Sequence, residues 1–293
     1  MSVDPPARPG PERPGPARPG PERPGPERPG PEPELAPAAE PTVASEPAAV
    51  VAAVTGRAFV DLHCHTSASF DSLASPASMV KAAAARGVTH LAITDHDRID
   101  GALRARDAGA RIAPDLTVLV GEEIRTRGGD LIAVFLERPV PPGLSAVETI
   151  AAVREQGGLV GLPHPYDRLR GSLSKTAEMA TFESLAETVD WIEVWNPRVL
   201  FGPGNELAAA LAKRVGVPGV AVSDSHTTLE VGLASTALTG DPSTPAGLKV
   251  ALAGELQLVT GRASRYVRLV TPVARLINRL RGRGRVHPTP VRG

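Results

Sequence analysis

The stretch FVDLHCHTSASFDSLAS, residues 59–75, decides how the rest of this chain is read. An apolar run ends on His63 and His65, with Asp71 a few positions on, in a chain that has only seven histidines. Side chains alternate faces along a strand, so His63 and His65 point one way and Cys64 the other. A lone buried histidine is more commonly a hydrogen-bonded core residue. Two imidazoles side by side at a strand end instead suit a shared metal ion.

Working outward, the same texture recurs. Apolar runs at 58–63, 90–94, 116–120, 131–136, 158–162, 191–195 and 219–223 read as strands, with a weaker one at 236–240. Helical patterns lie between them near 76–86, 100–110, 145–156, 205–214 and 244–253, with Ser75 and Ser145 as helix starts. Strands buried on both faces and alternating with helices predict a parallel α/β sheet, and this many units in about 210 residues predicts a closed barrel. The run at 131–136 follows 116–120 without a helix between, which makes the barrel irregular.

Polar residues gather where these strands end. TDHD carries Asp95, His96 and Asp97; GEE carries Glu122 and Glu123; PHP carries His164; and DSH carries the same-face pair Asp224 and His226. The C-terminal ends of parallel barrel strands share one rim, where catalytic groups collect. Buried imidazoles and carboxylates are costly unless something offsets their desolvation, and a metal ion does so for several ligands at once. Together with Asp71 these groups exceed what one tetrahedral ion accepts, which predicts two or three ions. His90, at a strand start, is expected to be structural.

The motifs DLHCHT, FDS, TDHD, GEEI, PHP and DSH, in this order over roughly 57–265, resemble the PHP (polymerase and histidinol phosphatase) family, most closely its small stand-alone phosphoesterases. The resemblance implies a distorted (β/α)7 barrel holding up to three divalent ions, of Mn, Zn, Fe or Mg. It implies that His63, His65, Glu123 and Asp224 hold one ion, and that Glu123 bridges to a second, also held by His164. Asp71, His96 and His226 would hold a third. Glu123 is preferred to Glu122 because the family pattern sets its glutamate two residues after glycine, here Gly121. Where many relatives have a histidine, this chain reads GGDLIAVFL, so Asp130 is expected to replace it as an oxygen ligand. Asp71 in place of histidine shifts the third site toward harder ions such as Mn or Mg.

The function implied is hydrolysis of phosphate esters by a metal-bridged hydroxide, on nucleoside 3′,5′-bisphosphates or short RNA 5′ ends. Arg168 and Arg198 are expected to bind the substrate phosphate, with Asn196 lining the pocket and Asp95 and Asp97 orienting His96. A small phosphomonoester such as histidinol phosphate is the alternative substrate, and a non-catalytic metal-binding regulatory module the alternative of another class. An amidohydrolase would need a strand-end lysine, whereas the only lysines are at 81, 175, 213 and 249. No GxSxG elbow supports a serine hydrolase.

Composition sets the outer limits. Residues 8–32 repeat RPGPE five times, once with Ala last. A tract so rich in proline and glycine cannot build a core, so 1–55 is expected to be a disordered arm, 56–265 the barrel, and 266–293 a basic amphipathic helix and tail. Residues 262–293 carry nine arginines and no acid, against a net charge of zero overall. The helix is expected over 272–281, capped by Thr271 and Pro272, with its apolar stripe docked on the barrel. One cysteine excludes an internal disulfide. The absence of a signal sequence or apolar span makes a cytoplasmic location the expectation, with a phosphorylated small molecule or short nucleic acid as partner and no protein partner inferred.

Overall fold

The computed structural model describes residues 56–167, 172, 179–199, 202–262, 270–282 and 284–285; the expected arm and Arg168 lie outside them. The strands are β1 (Arg57–Asp61), β2 (His90–Ile93), β3 (Thr117–Arg125), β4 (Asp130–Val134), β5 (Leu159–Leu162), β6 (Trp191–Trp195), β7 (Gly219–Ala221), β8 (Ala234–Thr239) and β9 (Leu256–Thr260). They form one sheet in the order β7-β6-β5-β4-β3-β2-β1-β8-β9. From β1 to β7 sequence neighbours are spatial neighbours, while β8 pairs with β1. The seam is bridged by Thr236 of β8, whose hydroxyl accepts from Ala221 N at 2.9 Å and donates to Ala221 O at 3.0 Å. The result is a nearly closed, distorted α/β barrel.

Pairing is parallel for β1–β2, β2–β3, β5–β6 and β6–β7. It is antiparallel for β3–β4, β4–β5, β1–β8 and β8–β9. The sheet is therefore mixed, where strand patterning predicts a parallel one. The cause is the connection: β3 and β4 are joined by a few residues, which permits only a hairpin. β9 has no counterpart in the sequence reading, because it is a largely exposed edge strand without a buried apolar face.

The helices are α1 (Pro76–Ala85), α2 (Asp100–Ile112), α3 (Ala146–Glu155), α4 (Met179–Ala186), α5 (Gly204–Val215), α6 (Pro245–Leu252) and α7 (Val270–Leu280). Ser75 caps α1 by accepting from Ser78 N, followed by Pro76 at the first helical position. Ser145 and Glu148 form a reciprocal capping box on α3. Gly216 ends α5 in the left-handed conformation, φ 70°.

Two apolar clusters sandwich the sheet. Leu91, Ile93, Val118 and Val120 pack outward against Met79 and Val80 of α1, while Ala92, Leu119, Ile132 and Trp191 fill the interior. Alternation along β2 and β3 accounts for the division.

α7 docks differently from its expected form. It begins at Val270, so Thr271 and Pro272 lie inside it rather than before it. Its buried residues are Thr271, Ala274 and Asn278, while Val273, Leu276 and Leu280 are exposed. Polar attachments outweigh the apolar stripe. Asn278 Nδ2 donates to the carbonyls of Phe70 (3.1 Å) and Ser72 (3.0 Å), and Arg198 Nη2 donates to Thr271 Oγ1 (2.7 Å).

Candidate metal centre

β1 delivers the first two histidines through an irregularity. Val60 and Leu62 face the barrel interior, so an unbroken strand would turn His63 outward. Regular pairing stops at Asp61, whose carboxylate accepts from Ser223 N (3.0 Å) and Gly232 N (3.1 Å). Cys64 then bridges to Ser225 and joins the outer cluster, while His63 and His65 face the site.

There Nε2 of His63 and Nε2 of His65 lie 3.0 Å apart. Glu123 Oε2 stands 3.4 Å from the first and 3.3 Å from the second. Asp224 Oδ1 stands 3.7 Å and 3.6 Å from the same two atoms. Four ligands bonded at about 2.1 Å to one ion at a tetrahedral centre are about 3.4 Å apart, so the spacing fits a single ion. Next to this group, Nε2 of His96 and Nε2 of His226 each lie 3.2 Å from Asp71 Oδ2. His65, Asp71, His96 and His226 offer ligand atoms all within 4.8 Å of one another, as do His63, His65 and Asp224. His65 is common to both sets, and its Nδ1 is buried without a hydrogen bond. Both ring nitrogens of His164 are likewise buried without one, and its Nε2 is 3.4 Å from Glu123 Oε1. Buried donors are not normally left so, and divalent ions are the group these residues fit.

Burial works against every charge in the centre, and mutual pairing decides the outcome. Desolvation pushes Asp71 and Glu123 up, but the facing histidines, His226 and His96 for Asp71 and His96 and His63 for Glu123, hold both carboxyls well below the usual range. Desolvation pulls His63 down, yet Glu193 and Glu123 lift it to about 10. Burial, with His226 and His96 alongside, keeps His65 well below the ordinary imidazole value. Backbone strain gathers here too. His164 (φ 27°), Asp224 (φ 49°) and Asp97 (φ 55°) are three of the four non-glycine positive-φ residues among those described.

Other expected residues are placed as follows. Glu122 is turned away from the cluster, accepts from Val140 N at 2.9 Å, and is raised by burial to about 8. Asp130 lines the same cavity, with its carboxylate held by Arg285 Nη2 at 2.8 Å. Asn196 is fully buried, and its amide donates to Glu193 Oε2 (3.0 Å) and Asp224 Oδ2 (2.9 Å), so it braces carboxylates instead of facing a substrate. Arg198 lines the cavity, but two of its donors are held by Glu230 and Thr271. Neither Asp95 nor Asp97 orients His96. Asp95 accepts from Thr66 N and Oγ1, and Asp97 accepts from Arg125 N; Asp71 and Glu123 face the His96 ring instead. His90 bonds Thr89 and Ser243 at the far end of β2.

Glu193 is the functional residue that sequence reasoning missed. Its Oε1 lies 2.7 Å from His63 Nδ1, and its Oε2 accepts from His164 N at 3.0 Å. The one available signal was a glutamate in WIEVW, a strand buried on both faces.

The PHP domain family model matches residues 61–199, and the PHP-associated model matches 202–253. Together they take in every strand end that carries a candidate ligand. The chain belongs to the PHP family. It is 38% identical over 116 residues to the uncharacterized protein MJ1587 of Methanocaldococcus jannaschii, covering 36% of this chain and 67% of that one. It is 33% identical over 119 residues to a 5′-3′ exoribonuclease of Haemophilus influenzae, covering 36% of this chain and 42% of that one. Its fold matches a two-domain protein of Bacteroides vulgatus containing a predicted PHP-like metal-dependent phosphoesterase, with TM-score 0.58 and 18% identity. That match covers 70% of this chain and 65% of the other, so the chain spans less than two thirds of that protein and under half of the exoribonuclease. No helix among the described residues is long and apolar enough to cross a membrane.

Proposed function

We propose that this chain hydrolyses phosphate esters of nucleotides, either nucleoside 3′,5′-bisphosphates or the 5′ ends of short RNA. The observation that carries the reading is the pair of ligand sets sharing His65, with Glu123 Oε2 within 3.4 Å of His63, His65 and His96 at once. His63, His65, Glu123 and Asp224 would hold one ion, and Asp71, His96 and His226 another. His164 with Glu123 and Asp130 would hold a third. Divalent ions so placed make water nucleophilic at neutral pH and neutralise charge on phosphoryl oxygens.

The protein's own residues do the rest. Glu193 holds the His63 ring so that Nε2 faces the centre, and Asn196 keeps Asp224 in place. Arg198, Arg275 and Arg285 line the cavity, which has a volume of about 260 Å³. A space of that size suits a nucleotide or a strand end better than a duplex, in keeping with the exoribonuclease relative.

The test is a substrate panel on tag-free protein of known metal content, loaded with Mn. Release of phosphate from adenosine 3′,5′-bisphosphate, or of mononucleotides from 5′-phosphorylated RNA, is expected. Turnover of histidinol phosphate alone would replace the proposed substrate. No turnover of any phosphoester at full metal occupancy would make the chain a metal-binding module.

A further inference from the structure

The family matches end at residue 253, yet the cavity that holds the ligand sets does not. Arg275 of α7 and Arg285 just beyond it line that cavity with His65, Asp71, His96 and Glu123. Both guanidinium groups rest on one ring: their central carbons lie 5.4 Å (Arg275) and 5.8 Å (Arg285) from the centroid of Phe70. Phe70 in turn lies against His96, ring centroids 4.8 Å apart. A guanidinium over an aromatic face keeps its donor edge available while its flat surface is occupied.

The attachment of this segment to the site is specific. Asn278 grips the carbonyls on either side of Asp71, and Arg198 ties Thr271 to Glu230. Arg285 is aligned by Asp130 (2.8 Å) and Asp97 (3.4 Å), and among the described residues its Nη1 makes no hydrogen bond. Among the described residues Arg275 makes no hydrogen bond, and it is ion-paired with Asp71 Oδ2 at 3.5 Å. Apart from that ion pair, the Arg275 donors are left uncommitted among the described residues, beside the candidate ligands.

Depth separates these arginines from the candidate ligands. The side chains of His63 and His65 are 0% exposed and that of Asp224 1%, against 22% for Arg285 and 53% for Arg275. A phosphate on the ions occupies the floor, so an anion held by the two arginines belongs nearer the opening. We propose that Arg275 and Arg285 form a clamp for a second phosphate group of the substrate, distinct from the one being hydrolysed, and so select ligands bearing two phosphates. This rests on the phosphoesterase reading for the position of the first phosphate.

The experiment is calorimetric binding to the Mn-loaded full chain, which needs no turnover. Adenosine 3′,5′-bisphosphate and adenosine 5′-monophosphate are titrated into the wild type, Arg275→Ala, Arg285→Ala and Arg279→Ala, the last removing an exposed α7 arginine away from the cavity. Arg275→Ala is expected to weaken the bisphosphate about tenfold more than the monophosphate, the scale of a lost charge-assisted pair. Arg275 carries the test because it has no structural hydrogen bond to lose, should Arg285→Ala disturb Asp97 and Asp130. Equal weakening of both ligands, an equal effect from Arg279→Ala, or no bisphosphate binding by the wild type would overturn the clamp. Selective weakening without any hydrolysis of the bisphosphate or of 5′-phosphorylated RNA would keep the clamp and refute the proposed substrates. Hydrolysis without selective weakening would do the reverse.

Discussion

Oε1 of Glu193 lies 2.7 Å from Nδ1 of His63, on β6, across the barrel from the strand that ends in that histidine. Both side chains are fully buried, so the contact sets the tautomer and the angle at which Nε2 meets the centre. Glu193→Gln keeps the shape and removes the charge. It is expected to lower divalent-ion affinity about 10–100-fold, the usual effect of losing a carboxylate behind a ligating histidine. Chelator competition measures it, and an unchanged affinity would show that the contact is only packing.

The same contact has a pH consequence. Burial alone would favour neutral His63, but Glu193 and Glu123 raise its pKa to about 10, so without an ion the ring is protonated at pH 7. An ion at Nε2 must expel that proton. Affinity is therefore expected to fall as pH decreases, by about tenfold per unit for one proton released. Mn titrations in two buffers of different ionisation heat report the proton directly; a heat independent of buffer would sink the expectation.

His65 belongs to both ligand sets. His65→Ala is expected to abolish phosphoesterase activity and lower Mn stoichiometry, both followed on the same preparation. In the wild type, Mn at a hundredfold excess over its dissociation constant should stabilise the fold by about 2.7 kcal/mol, and EDTA should remove that gain. A melting temperature indifferent to Mn would argue against a built site.

Gly101, at the start of α2, offers a mechanical test. Alanine there improves intrinsic helix propensity by about 1 kcal/mol. Its Cβ, however, would collide with the Asp95 carboxylate and come within 2.6 Å of Thr66 Oγ1, the pair that pins the segment after His65. Overpacking costs about 1–3 kcal/mol, so Gly101→Ala should destabilise on balance. Denaturant melts decide the sign.

Much of this centre is legible along the chain because each ligand motif is local. A same-face His-X-His, a TDHD or a DSH at the end of an apolar run needs only strand geometry to be read. The barrel-like class of the fold is legible for the same reason, since strand and helix runs alternate along the chain. The reversal of β4 and the presence of β9 were harder: short connections and exposed edges leave little periodic signal.

By itself, then, the sequence determined which residues could carry metal chemistry and that they gather near strand ends, because motifs at the ends of apolar runs are properties of neighbouring residues; the break after Asp61 that turns His63 and His65 to the site was not legible. Only the tertiary structure decided that Glu193 stands behind His63, that Asn196 braces carboxylates, and that α7 attaches through Asn278 and Thr271 and not through its leucines. It also decided that Arg275 and Arg285 reach the cavity. Each of these is a contact between segments far apart in the chain, where an arginine or a glutamate looks the same whether it ends in solvent or against a buried partner.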